Sequence, residues 1–279
     1  MPVPPLDPRV VRAAVTVALA EDVGAGDLTS RLVPEGPARA VLRTREDGVL
    51  CGQSFWDETF RQLSPAVEVV WRSEDGARIR AGEILCETRG PARALLTAER
   101  TAINFLQTLS GTATAARRYA DCVAHTPARI LDTRKTLPGM RLAQKYAVRC
   151  GGCDNHRMGL FDAVLIKENH IAAAGGIASA LNAACALAPG VSIEIEVETL
   201  AQLEEALQAG ATRILLDNFA LPDLAAAVRA TRKRATLEAS GGITLENAAA
   251  VAETGVDFLS VGELTKSVRA LDLSLRIGP

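Results

Sequence analysis

Several common protein classes need features that this sequence has little of. Only 4% of its 279 residues are aromatic, and 31 Lys+Arg against 33 Asp+Glu leave a formal charge of −2. A nucleic-acid backbone calls for a basic groove, and single strands also need aromatic stacking platforms, so that class of partner is disfavoured. Anion binding, if any, must be focused in a local pocket. No strand-like run opens on GxGxxG. VGAGDLTS lacks the third glycine and a preceding strand, which disfavours a dinucleotide-binding fold. The start, MPVPPLDPR, carries no apolar signal run, so secretion is not expected. Six scattered cysteines (Cys51, Cys86, Cys122, Cys150, Cys153, Cys185) read as reduced, mostly buried thiols of a cytoplasmic protein. The uncharged stretch from Ile171 to Pro189 is mostly alanine, with Gly175, Gly176 and Asn182. We expect a tightly packed buried helix there and no membrane span.

What is present is a large apolar fraction, 48%, ample for a sizeable core. A helical period runs from Asp7 to Glu21 through Val10, Val11, Ala14, Val17 and Ala18. Strand-like runs follow at AVLRT, GVLCG, VEVVW and EILCE, separated by EDG and SEDG turns, which predicts a small mixed domain with an antiparallel sheet. Pro91 to Ala120 reads as one or two long helices. From residue 128 the rhythm changes to ARILDT, FDAVLIK, VSIEIEV, TRILLDN, ATLEAS and VDFLSVG, each run ending in polar residues and followed by a helical segment. Six such units predict parallel strands joined by crossovers, closed or partly closed into an α/β barrel with fewer than the usual eight units. Ligands of such folds sit at the carboxyl ends of the strands, where Asp132 to Lys135, Lys167, Glu196, Asp217, Asn218, Ser240 and Gly262 fall.

The chemistry concentrates there. Arg134 and Lys135 follow ILDT in a turn closed by Pro138 and Gly139, and offer a planar fork beside a point charge. His156, Arg157 and Lys167 add to an anion pocket, whereas His170 reads equally as a helix-start residue. In VSIEIEVET, Glu194, Glu196 and Glu198 share one face. Inside a barrel they need a cation, which makes Glu196 or Glu198 with Asp217 candidates for Mg²⁺ carried in on phosphates. The bland alternative is a solvated edge. Ser240, Gly241, Gly242 and Gly262 lie in the last two turns, where backbone N–H groups with a helix start behind them cradle phosphate. Cys150, Cys153 and His156 form C-x₂-C-x₂-H, but no fourth ligand stands at a usual zinc spacing. Arg100 cannot be placed by spacing. No Ser-His-Asp arrangement is visible. The combination suits a phosphoribosyl donor and an acidic acceptor.

The stretches ALAEDVGAGDLTS, ERTAINFLQTLSG, LDTRKTLPGMRLAQKYAVRCGG, NHRMGLFDAVLIKENH, IEIEVETL, ILLDN, EASGGI and SVGELTKS, in order from about Leu6 to Leu273, resemble the quinolinate phosphoribosyltransferases. The resemblance implies an atypical six-stranded parallel α/β barrel with an N-terminal α/β sandwich domain containing an antiparallel sheet. Its divisions would be 1–112 for the sandwich, 113–267 for the barrel and 268–279 for a segment packing back on the N-terminal domain. It implies transfer from phosphoribosyl pyrophosphate to quinolinate with decarboxylation, Mg²⁺ as cofactor, and no organic cofactor. A homodimer in which Arg100 is donated across the interface is implied as well. By motif, Arg134, His156 and Arg157 resemble the groups that bind the pyridine carboxylates, and Lys135 and Lys167 serve the quinolinate and pyrophosphate charges. Glu196 and Asp217 match the acidic pair near the ribose and Mg²⁺, leaving Glu194 and Glu198 supporting, and Ser240, Gly241 and Gly262 resemble the 5′-phosphate contacts. Cys153, Glu263 and Lys266 depart from the family pattern. The alternatives are a related phosphoribosyltransferase-like protein with another acidic acceptor, or a non-catalytic anion-binding protein.

Overall fold

The computed structural model describes residues 3–187 and 189–278. The chain forms two compact units. The first comprises the chain up to Arg117, Leu137–Gly152 and the chain from Ser267; the second comprises Arg118–Thr136 and Cys153–Lys266.

In the first unit, α1 (Pro8–Val23) begins where the Asp7 carboxylate accepts the Arg9 backbone N–H at 2.8 Å, satisfying one of the orphan donors of a helix start. Its buried stripe is Val11, Val15 and Leu19, while Val17 is 68% exposed, so the expected face is rotated by about one residue. Each buried side chain of this size contributes about 2 kcal/mol. Then come β1 (Pro37–Thr44), β2 (Gly48–Val49), α2 (Gln53–Leu63), β3 (Glu68–Trp71), β4 (Arg78–Ile79), β5 (Ile84–Pro91) and α3 (Ala92–Cys122), a single helix of 31 residues. In β1 burial alternates, with Ala40, Leu42 and Thr44 inward. The strand pairs antiparallel with β5 on one side and with the chain's last strand, Leu273–Gly278, on the other. Residues 137–152, expected in the barrel, belong to this first unit. Their helix α4 (Arg141–Cys150) packs Ala143, Ala147 and Cys150 into a cluster with Val11, Val15, Phe55 and Leu109.

The second unit is the expected succession of parallel strands: β6 (Arg129–Leu131), β7 (Ala163–Ile166), β8 (Ser192–Val197), β9 (Arg213–Asp217), β10 (Thr236–Ser240) and β11 (Phe258–Ser260). Their order in the sheet is β6-β11-β10-β9-β8-β7, the sequence of a six-stranded barrel with its seam between β6 and β7. Asp154 adds an isolated parallel bridge to Leu131. The crossovers include α5 (Glu168–Ala174), α6 (Ile177–Leu187), α7 (Leu200–Gln208), α8 (Leu221–Thr231) and α9 (Ala248–Glu253), and α10 (Glu263–Lys266) follows β11; the last strand of the chain is thus β12. The single buried helix expected from Ile171 is instead the pair α5 and α6, bent by 94° at Gly175 and Gly176. Among the described residues of this pair only one face of α6 (Ile177, Ala180, Leu181, Ala184) is buried. No single helix among the described residues is long and apolar enough to cross a membrane.

Candidate active site

Strand parity sets the stage for the site. Glu194 and Glu196 on β8, Arg213 and Asp217 on β9, Glu238 and Ser240 on β10, and Phe258 and Ser260 on β11 alternate with the core residues Ile195, Val197, Ile214, Leu216, Leu237, Ala239 and Leu259. At the carboxyl ends, Lys167 beyond β7 reaches across to Glu196, Nζ to Oε2 2.6 Å. Asp217 lies directly opposite Ser240 in the parallel register. Asn218 follows with φ +58°. Its side-chain amide donates to Asp217 at 2.8 Å and its backbone N–H donates to the Ser240 carbonyl at 2.9 Å.

Of the glycines in the last two turns, Gly241 is required by close approach. Gly241 has φ +92°, and a Cβ there would stand 2.1 Å from Asn218 Oδ1. A Cβ on Gly262 would meet Lys135 Cδ at 3.2 Å and Nζ at 4.0 Å, so the lysine chain lies over this turn. The Lys135 backbone is fixed by Thr133 Oγ1, which accepts its N–H at 3.0 Å, and by the Thr265 hydroxyl, which donates to its carbonyl at 2.8 Å. The helix starts expected directly behind these turns are modest. After Gly242 the chain turns through Thr244 to Asn247 before α9, and α10 has four residues.

The other side of the site is a basic fork on a buried scaffold. Asp132, fully buried, accepts the His156 backbone N–H at 2.9 Å and the Asn155 amide at 2.6 Å. His156 Nδ1 accepts the Arg157 backbone N–H at 2.7 Å, which assigns the ring proton to Nε2, 2.8 Å from Glu194. Both ring nitrogens are thus engaged within the protein. Arg157 donates to the Ala163 carbonyl at 3.3 Å. Its guanidinium is pulled below the usual arginine range, first by burial and then by the neighbouring Arg134 cation. Two guanidiniums brought together in this way are stabilised by an anion between them.

Beneath the fork lies a network that the sequence reading missed. Arg213 bonds Glu194 through Nε at 2.9 Å and Glu238 through a terminal nitrogen at 2.7 Å. Glu238 also accepts the Ser260 hydroxyl and stands 3.4 Å from His156 Nε2. The signal was available: Glu238 and Arg213 stand two and four residues before Ser240 and Asp217, on the same strand face. His156, Glu194 and Glu238 form a group with ligand atoms within 4.8 Å of one another. Because Arg213 already bonds both carboxylates, this group reads as an ion-pair network.

Residues 27–110 match the N-terminal domain of the family described as quinolinate phosphoribosyl transferase, and residues 112–276 match its C-terminal domain. The chain belongs to this family. It is 46% identical to a nicotinate-nucleotide pyrophosphorylase [carboxylating] of Mycobacterium leprae, covering 95% of this chain and 96% of that protein. A probable nicotinate-nucleotide pyrophosphorylase [carboxylating] of Bacillus subtilis (strain 168) is 43% identical, over 92% of this chain and 90% of its relative. The solved structure of the nicotinate-nucleotide pyrophosphorylase from Francisella tularensis superimposes with a TM-score of 0.96 at 44% identity, covering 100% of this chain and 99% of that one.

Within this quinolinate phosphoribosyltransferase scaffold the remaining expected residues are placed as follows. Arg100 is exposed on α3 in the first unit. His170 is exposed and its Nδ1 accepts the Lys167 N–H at 3.0 Å, so it caps the start of α5. Glu198 is exposed beyond β8, its N–H donated to Gln202. Of the three departures from the family pattern, Cys153 is buried, Lys266 is exposed, and the Glu263 carboxylate accepts the Tyr119 hydroxyl.

Proposed function

We propose that this quinolinate phosphoribosyltransferase transfers the phosphoribosyl group of phosphoribosyl pyrophosphate to the ring nitrogen of quinolinate. The 2-carboxylate leaves as CO₂, giving nicotinate mononucleotide and pyrophosphate for NAD synthesis. The observation that carries this reading is the Arg157 guanidinium, partly buried and close enough to the Arg134 cation for its own charge to be disfavoured. A dicarboxylate brings an anionic group for each of these two cations, and Lys167 and Lys135 stand at strand ends for the remaining charge. A mono-anionic acceptor needs fewer cations, which disfavours the alternative of a related enzyme acting on another acid. A binding protein has no use for Glu196 and Asp217 beside a reacting sugar.

In the reaction the C1–O bond to pyrophosphate breaks with its electron pair leaving on oxygen, and the pyridine nitrogen lone pair forms the new bond to C1. Glu196 and Asp217 stabilise the positive charge that builds on the ribose. Lys167 offsets Glu196 at rest and is available to the departing phosphates. The Ser240–Gly241 turn and Gly262 hold the 5′-phosphate, and Lys135, lying over Gly262, serves the quinolinate and pyrophosphate charges. After attachment the C2–carboxylate bond breaks, its electron pair stays on C2 beside the cationic nitrogen, and a proton completes the C–H bond. No separate base is needed. Mg²⁺ suits the hard oxygen pair Glu196 and Asp217 on adjacent strands, which would hold it directly or through water while it neutralises pyrophosphate.

The family resemblance extends the reading to a cytoplasmic homodimer in which Arg100 of one subunit serves the barrel of the other. The overall reading is tested by offering quinolinate and nicotinate separately, with phosphoribosyl pyrophosphate and Mg²⁺. Turnover of quinolinate alone supports it, and turnover of nicotinate alone overturns the dicarboxylate pocket.

A further inference from the structure

The ion-pair network beneath the acceptor fork draws a group from each of four adjacent strands: Glu194 from β8, Arg213 from β9, Glu238 from β10 and Ser260 from β11. His156 closes it from the loop after Gly152, with its backbone tied to Asp132 and its Nδ1 to Arg157. Phe258 stacks under the Arg213 guanidinium at 5.1 Å. Two carboxylates face one permanent cation, so the set is neutral only when it holds one proton more than the carboxylates and neutral imidazole alone. Glu238 stands 3.4 Å from His156 Nε2, and because the Nδ1 lone pair is taken by the Arg157 N–H, that proton sits on Glu238. An apolar barrel interior would be as stable or more so. The ionic network's nearest consequence is the placement of Arg157.

We propose that Glu238 and Arg213 are positioning residues for the acceptor fork: with Glu194 they lock His156 as the Nε2–H tautomer, one proton being held on Glu238, and His156 sets the backbone of Arg157. The consequence for quinolinate rests on the proposed function; the charge state of the cluster does not. Burial and the adjacent Glu194 push the Glu238 carboxyl up to about 7. Below that pH the cluster is neutral or positive, and above it the cluster gains a negative charge. A dianion bound next to it is favoured by the protonated form, so quinolinate binding takes up protons, and its affinity falls as pH rises through about 7.

The chain has three histidines, which makes ring-nitrogen NMR of ¹⁵N-histidine-labelled protein direct, with His125 and His170 as internal references. The expected result in the free wild-type protein is that the His156 ring signals report the Glu238 transition near pH 7, with the KM for quinolinate rising across the same range and kcat little changed. In Glu238→Gln the transition disappears, KM for quinolinate loses its pH dependence there and no longer rises above about pH 7, and KM for phosphoribosyl pyrophosphate stays within about twofold. Ser260→Ala withdraws a donor from the carboxylate and moves the transition to higher pH; this variant decides the matter if Glu238→Gln does not fold. Unchanged His156 signals and an unchanged pH profile in both variants overturn the proposal. So does a uniform loss in kcat and both KM values, which marks a merely structural role. If the NMR behaves as expected while wild-type protein ignores quinolinate, the assigned reaction fails and the cluster stands.

Discussion

At the residue scale, the proposed reading makes acceptor choice turn on Arg157. Its planar fork is aimed by a chain of buried bonds from Asp132 and Glu194 through His156, and its charge is disfavoured by burial and by Arg134 until an anion arrives. Arg157→Ala removes a charge-assisted, two-toothed contact and is expected to lower kcat/KM for quinolinate by about a hundredfold. Melting should be little affected, since a repulsion is relieved as well. Arg157→Lys restores only part of the activity because a point charge cannot replace the fork. Steady-state kinetics on both variants, with circular dichroism as the fold control, checks this. Basic residues gathered near conspicuous turns were legible in the sequence. Arg213 and Glu238 were not recognised because each sits inside an apolar run, where one charged residue looks like an edge or an ordinary exposed position until the partner strand is known.

At the scale of elements, six apolar runs became six parallel strands in the expected order, because short runs bounded by turns and followed by helical periods leave few topologies open. The long α3 was equally plain. Composition misled at Ile171, where an alanine-rich stretch suggested one buried helix and the paired glycines instead broke it in two. β4 has two residues, too few for a periodic signal. The identity of β12 as a paired strand was also hidden, since its partner β1 lies more than 200 residues earlier and pairing across that distance leaves no local trace. Ending the chain after Asp272 removes β12, uncovers the edge of β1 and strips Leu275 and Ile277 from the first unit's core. The expected outcome is a melting temperature lower by roughly 5–10 °C and visible self-association. Calorimetry and light scattering measure both; an unchanged melting temperature would show the strand to be dispensable.

At the scale of the whole molecule, a net charge of −2 coexists with a site for two anionic substrates because the basic groups converge at strand ends rather than spreading over the surface. The proposed dimer makes a prediction of its own. Arg100→Ala and Glu196→Ala homodimers are each expected to be inactive, while mixing them under conditions of confirmed subunit exchange should recover up to about a quarter of wild-type activity through mixed dimers with one intact site. Failure to recover any activity contradicts a shared site. The central claim, that the acceptor is a dicarboxylate which loses one carboxylate after attachment, is tested most directly with quinolinate labelled in its 2-carboxylate. Labelled CO₂ and nicotinate mononucleotide should appear together in equal amounts, dependent on phosphoribosyl pyrophosphate. Mononucleotide that retains the label, or the absence of both products, would contradict it.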